Sequence, residues 1–158
     1  MSIAFYGSEL ISIAIGIERR GIIFYDVMAK STENEMAREV FQNLAEMERV
    51  HIQIFQNMLD EGQKYQPETM TEEYADYLRA LVDSAVFTDD MITSEMATQA
   101  DSDIKAVELG ISAEKDSILF YYQMREAMPR TALPTMDGII AEEKRHLRQL
   151  AEIKRRLS

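Results

Sequence analysis

The stretch AEMERVHIQIF, residues 45 to 55, places a carboxylate and an imidazole where a helix should be apolar. Leu44, Ala45, Ile52, Phe55 and Leu59 recur at the helical period, and Glu48 and His51 fall on the same stripe. Residues three apart on an α-helix differ by about 60° around the axis and about 4.5 Å along it, so these two side chains point the same way. The arrangement returns at Glu143 and His146, which interrupt a stripe of Met136, Ile139, Ile140, Leu147 and Leu150. A chain that buries both pairs must supply something that compensates them.

The two pairs belong to an internal repeat. ERRGIIFY from Glu18 answers EKDSILFY from Glu114, so that Ile22 and Ile118, Phe24 and Phe120, and Tyr25 and Tyr121 keep identical offsets, with Ile15 and Ile111 extending the match upstream. ERVHI at 48 to 52 answers EKRHL at 143 to 147. Glu18 precedes Glu48 by 30 residues and Glu114 precedes Glu143 by 29, which implies two similar hairpins related by a pseudo-twofold axis.

Helical periodicity runs through almost the whole chain, and the sustained alternation of strands is missing. The pattern predicts a first helix from about Ser8, its N-cap, to about Lys30, with Leu10, Ile11, Ala14, Ile15, Ile22 and Tyr25 inward. Thr32 and Glu35 form a capping-box pattern that starts a second helix, which continues to Glu61 and stops at Gly62. Residues 63 to 101, with Pro67 and the amphipathic TEEYADYLRALVDSAVF, read as a long crossover holding one shorter helix. A third helix begins near Asp101 to Asp103 and ends about Met128; a fourth, after a connection containing Pro134, fills roughly Thr135 to Leu157. The expected fold is all-α: a four-helix bundle of two hairpins, in one domain over residues 1–158.

Each of the four long helices inserts one carboxylate near mid-length, Glu18 among Ile11, Ile15 and Ile22, and Glu114 among Val107, Ile111 and Ile118. Four converging buried carboxylates repel one another, and each unpaired charge costs several kcal/mol, roughly, even after relaxation. Two divalent cations would balance the four negative charges, with the two imidazoles as neutral nitrogen ligands. Oxygen-rich donors with one histidine per ion suit iron or manganese rather than a thiolate-rich structural zinc site. The bland alternative is a repeat bundle without metal, its core carboxylates tied up by Arg19, Arg49 or Arg145.

One Glu from each of two helices and a Glu-x-x-His from each of the other two is the ligand pattern of ferritin-like proteins. Over its four long helices the chain resembles this superfamily, and within it the rubrerythrin-type di-iron proteins. The resemblance implies that Glu48 and Glu143 bridge two metal ions, that Glu18 and Glu114 are terminal ligands, and that His51 and His146 each bind one ion. It implies two iron ions, with manganese or a mixed pair as the alternative, and an oxidoreductase that reduces hydrogen peroxide or dioxygen, peroxide detoxification foremost. A ferroxidase or iron-storage protein and a non-enzymatic metal-binding bundle are the competing functions. Two departures stand out. Without cysteine the chain has no rubredoxin-like iron module, so an external electron donor is required. Ile111 also stands where fuller members carry an extra carboxylate one turn before the third-helix ligand, which removes the group that ligand exchange would use.

The net charge of -11 argues against nucleic acid or an anionic membrane as partner, because those surfaces repel excess Asp and Glu. The absence of cysteine fits a reducing interior, and the expected location is cytoplasmic. SIAFYGSELISIAIGI at the N-terminus lacks a basic start and carries Glu9, so it reads as folded protein rather than a signal peptide. The expected assembly is a homodimer, since a long crossover permits hairpins to exchange between subunits. Glu108, about 120° around the helix from Glu114, is expected in solvent. Glu46 and Glu142 read as solvated, with accepting from a ring nitrogen of a ligand histidine as their alternative role, the basic run from Lys144 to Arg156 as complementing a helix C-terminus, and Tyr25 and Tyr121 as packing residues, with electron relay as their alternative role.

Overall fold

The computed structural model describes residues 7–61, 71–87 and 102–158. They form α1 (Gly7–Ser31), α2 (Glu35–Asp60), α3 (Glu72–Asp83), α4 (Asp103–Ala127) and α5 (Leu133–Leu157), with a 3₁₀ turn over Arg130–Ala132 before α5. α1 packs along α2 and α4 along α5; the hairpins then meet through α1 on α4 and α2 on α5, while α3 lies against α4. This is the ferritin-like arrangement of two hairpins with a short extra helix in the link between them. Among the described residues no helix is long and apolar enough to cross a membrane.

The helix ends show where local chemistry departs from the sequence pattern. The capping box of Thr32 and Glu35 does not form. Thr32 closes α1 instead, its N–H donating to the Met28 carbonyl at 3.0 Å and its Oγ1 accepting from the Asn34 N–H at 3.1 Å. Asn34 is the N-cap of α2, accepting from the Ala37 N–H at 2.9 Å, which a short amide side chain directly before the helix does at least as well as threonine. Ser102 caps α4 in the same manner through the Lys105 N–H, and Thr71 caps α3 through the Tyr74 N–H. α5 starts at Leu133, two residues before Thr135, because Pro134 sits in its first turn, where a missing N–H costs nothing. α1 already includes Ser8, which is therefore not its N-cap. Glu61 is the last described residue of the first hairpin; Gly62 and Pro67, with their expected roles, lie outside the described residues.

The apolar core is split in two. One cluster gathers Leu10, Ile11, Ala14 and Ile15 of α1 with Phe55, Phe120, Met136 and Ile140; the other gathers Phe24, Tyr25 and Met28 of α1 with Phe41, Leu44, Val107 and Leu150. On each long helix the two clusters are separated by the stretch that carries Glu18, Glu48 with His51, Glu114, or Glu143 with His146. Antiparallel packing puts these four stretches at one level, so the polar layer is clamped between two hydrophobic plugs that hold its helices in register. Ile22, Ile52, Leu59, Ile111, Ile118 and Leu147, expected inward, are only half-buried, because they lie at the edges of their stripes.

Candidate metal centre

Glu18, Glu48, His51, Glu114, Glu143 and His146 are all at most 3 % exposed, so bulk water solvates none of them. The structure brings all six together. His51 Nδ1 stands 3.5 Å from Glu18 Oε1, 3.3 Å from Glu48 Oε2 and 3.0 Å from Glu143 Oε1. His146 Nδ1 stands 3.3 Å from Glu48 Oε1, 3.7 Å from Glu114 Oε1 and 3.4 Å from Glu143 Oε2. The imidazole rings lie nearly parallel with centroids 5.6 Å apart. Two sets result, Glu18, Glu48, His51 and Glu143 on one side and Glu48, Glu114, Glu143 and His146 on the other, each with donor atoms within 4.8 Å of one another. Glu48 and Glu143 belong to both sets and turn one oxygen toward each histidine.

Most of the donor atoms lack an aligned protein partner. Glu48 Oε2, Glu114 Oε2, both oxygens of Glu143 and all four ring nitrogens of His51 and His146 are buried without an aligned hydrogen bond. Such a concentration of unsatisfied polar atoms is foreign to a settled core. It fits a pair of cations, which accept lone pairs from all sides and need no donor alignment. The arginines that were candidates for neutralising these carboxylates are engaged elsewhere: Arg49 pairs with Asp26 at 2.6 Å and Arg145 with Glu142, while Arg19 is exposed. Glu108 is half-exposed and pairs with Lys154, and Glu46 is exposed, as expected.

Electrostatics in the metal-free state follow from this crowding. Burial disfavours the charged form of His51, yet Glu143 and Glu18 outweigh it and push the imidazolium pKa up to about 10. Burial likewise opposes charge on His146, and Glu114 and Glu143 push it up to about 9. Burial and then repulsion from Glu18 and Glu114 hold Glu143 well above the usual carboxylate range. Glu114 would also be raised by burial, but the close approach of Glu143, His146 and Tyr25 outweighs it and holds the group below its ordinary value.

Tyr25 and Tyr121 do more than pack. The Tyr25 hydroxyl donates to Glu114 Oε1 at 2.6 Å and the Tyr121 hydroxyl to Glu18 Oε1 at 2.5 Å, each reaching across to the other hairpin. Both rings are fully buried, and burial with the facing carboxylates raises both phenols well above 10. They therefore remain hydrogen-bond donors that fix Oε1 of Glu114 and of Glu18, and Glu114 Oε2 is left without a partner. Gly110, one turn before Glu114, makes room for this: a Cβ there would stand 3.3 Å from the Tyr25 ring and 3.4 Å from its hydroxyl. The sequence signal was the equal spacing of each tyrosine from its repeat's glutamate, which places the two on one face of the core. Removing the hydroxyl in Tyr25→Phe should weaken metal binding by about tenfold, with Tyr121→Phe matching it on the other half. Competition with a chromophoric chelator measures this, and unchanged affinity in both variants would show the tyrosines to be packing residues only.

Fold and centre together define a ferritin-like protein with a carboxylate and histidine site of the di-iron carboxylate kind. The rubrerythrin family model matches residues 9–154, and the chain belongs to that family. Among solved structures it is similar to a Thermotoga maritima protein classed as a ferritin-like diiron-carboxylate protein, known from a crystal structure at 2.30 Å resolution. The two chains share 29 % identity over 98 % of each, with a TM-score of 0.73. Comparison with curated proteins gives no match.

Proposed function

We propose that the protein is a di-iron oxidoreductase that reduces hydrogen peroxide or dioxygen, with Glu18, Glu48, His51, Glu114, Glu143 and His146 as the metal ligands. The observation that carries this is the pair of overlapping donor sets sharing Glu48 and Glu143, with their atoms buried and unpartnered. When bound, a redox-active ion pair supplies two electrons together, so that peroxide with two protons becomes two molecules of water and no radical is released. Two electrons from an external donor restore the reduced state.

The chain's own residues determine how the pair is held. Glu48 and Glu143 set the separation of the two positions, since each extends one oxygen to either side. His51 and His146 would each supply one neutral nitrogen to one of the two ions. Glu18 and Glu114 are each held at Oε1 by a tyrosine of the opposite hairpin, and the same oxygens face His51 at 3.5 Å and His146 at 3.7 Å. The two hydrophobic plugs exclude bulk water from above and below. In place of a further carboxylate one turn before Glu114 stands Ile111, half-buried and packed on the second apolar cluster, so that position contributes no seventh ligand.

Anaerobic protein loaded with ferrous iron and mixed rapidly with hydrogen peroxide tests the proposal. The expected result is oxidation of both ions within one kinetic phase and water as the only product. Uptake of many more than about two irons per chain as mineral would show a storage protein instead, and a ferrous site inert to peroxide and dioxygen would leave a non-enzymatic bundle.

A further inference from the structure

Between α1 and α4, the helices that contribute Glu18 and Glu114, lies a cavity of about 40 Å³. Glu18, Glu48 and Glu114 line it on the side of the candidate centre, Ile17 and Ala113 on the walls, and the last turn of α3 with the residues after it flanks it on the outer side. The wall residues are repeat partners: Ile17 with Ala113, Arg20 with Asp116, and Gly21 with Ser117 occupy matching places in the two hairpins, and all six line the cavity. The cavity thus straddles the pseudo-twofold axis and faces both donor sets equally. Gly21 keeps it open toward the bridging glutamate, since a Cβ there would come to 3.6 Å from Glu48 Cγ.

The cover has no counterpart in the repeat. It comes from the crossover, which occurs once, and presents Leu81, Val82 and Phe87 to the cavity. It is pinned at three points. The Val86 N–H donates to Asp116 Oδ2 at 2.8 Å, the Phe87 ring packs on Phe24 with centroids 4.5 Å apart, and the Tyr74 hydroxyl donates to the Gln123 carbonyl. The interior next to this wall is small, about 40 Å³. One water-sized guest needs roughly 10–15 Å³ and a benzene-sized guest roughly 150 Å³, so the cavity takes about three small heavy atoms and no aromatic ring.

We propose that this cavity is the chamber in which the oxidant binds, and that Leu81 and Val82 act as its size filter. It admits dioxygen, hydrogen peroxide and methyl hydroperoxide, whose methyl group meets the apolar walls, and it rejects branched or aromatic hydroperoxides. This rests on the assignment of the centre to oxidant reduction.

Two measurements separate the filter from that assignment. Xenon, a small apolar probe, should occupy the cavity of the metal-free protein in crystals under xenon pressure, and Val82→Phe should expel it. Xenon absent from the cavity of the unsubstituted protein overturns the chamber without reference to any metal. In rapid mixing of the ferrous protein, cumene hydroperoxide should react at least about a hundredfold more slowly than hydrogen peroxide, and the double variant Leu81→Ala, Val82→Ala should narrow that ratio about tenfold or more. Val82→Phe should slow even hydrogen peroxide, which keeps the test alive where the double variant fails to fold. A protein that reacts with hydrogen peroxide but shows the same cumene ratio in all variants overturns the filter alone. A ferrous protein inert to every oxidant overturns the oxidant assignment and the filter with it.

Discussion

Glu48→Ala should empty both halves of the metal centre, whereas His146→Ala should empty only one. Glu48 belongs to both donor sets, so its loss strips a ligand from each; His146 belongs to one set, and its removal leaves Glu18, Glu48, His51 and Glu143 intact. Loss of a directly coordinating group costs more than the 10–100-fold in affinity typical of outer hydrogen-bonding partners. Metal content should therefore fall from about two ions per chain toward zero in Glu48→Ala and to about one in His146→Ala. Elemental analysis of protein purified without chelator reads both values. Helicity should survive in both variants, because the two apolar clusters that register the helices do not include either residue. Equal stoichiometry in the two variants would contradict the assignment of Glu48 as the shared ligand.

The clustering of the six polar side chains was legible in sequence because they violate the pattern that predicts the helices. An apolar stripe broken by Glu-x-x-His, and broken again at the matching place in a repeat, fixes both the helix face and the level along it. Whatever depended on contact between the hairpins was not legible. Tyr25 and Tyr121 lie on the same inward faces as their neighbours and read as packing. Only the pairing of α1 with α4 shows that each hydroxyl meets the glutamate of the opposite repeat, as neither can reach the one on its own helix two turns away. Helix ends were blurred for a different reason. Thr32 and Asn34 both offer a capping oxygen, and the choice fell to Asn34 because Thr32 is still engaged by the last turn of α1. Leu81 and Val82 carry no sequence signal at all beyond an amphipathic helix, since their role at the cavity comes from where the crossover lies.

Stability should fall with rising pH in the metal-free protein and hold level in the metal-loaded one. A group whose pKa is higher in the folded than in the unfolded chain stabilises the fold fully below its unfolded value, and that contribution vanishes as pH rises through the folded value. His51, pushed from 6.5 up to about 10, and His146, pushed from 6.5 up to about 9, both have this sign. Glu143, raised above 4.5, adds to it. Glu114, lowered from 4.5, has the opposite sign, but its contribution is lost only on the acid side of that value. The metal-free protein should therefore lose stability steadily between about pH 6.5 and pH 10. Metal ions must displace these same protons, because imidazole coordinates as the neutral ring and the glutamates as carboxylates. Affinity then rises with pH, by roughly a thousandfold per pH unit for the filled pair if three protons leave, and ligand binding stabilises the fold in proportion to the logarithm of that affinity. The gap in Tm between the metal-loaded and metal-free protein should widen from pH 6.5 upward, with proton release on loading measurable in weakly buffered solution. Parallel melting curves with a constant gap would mean that the histidines are already neutral before metal arrives, and that carboxylate repulsion alone is what the ions relieve.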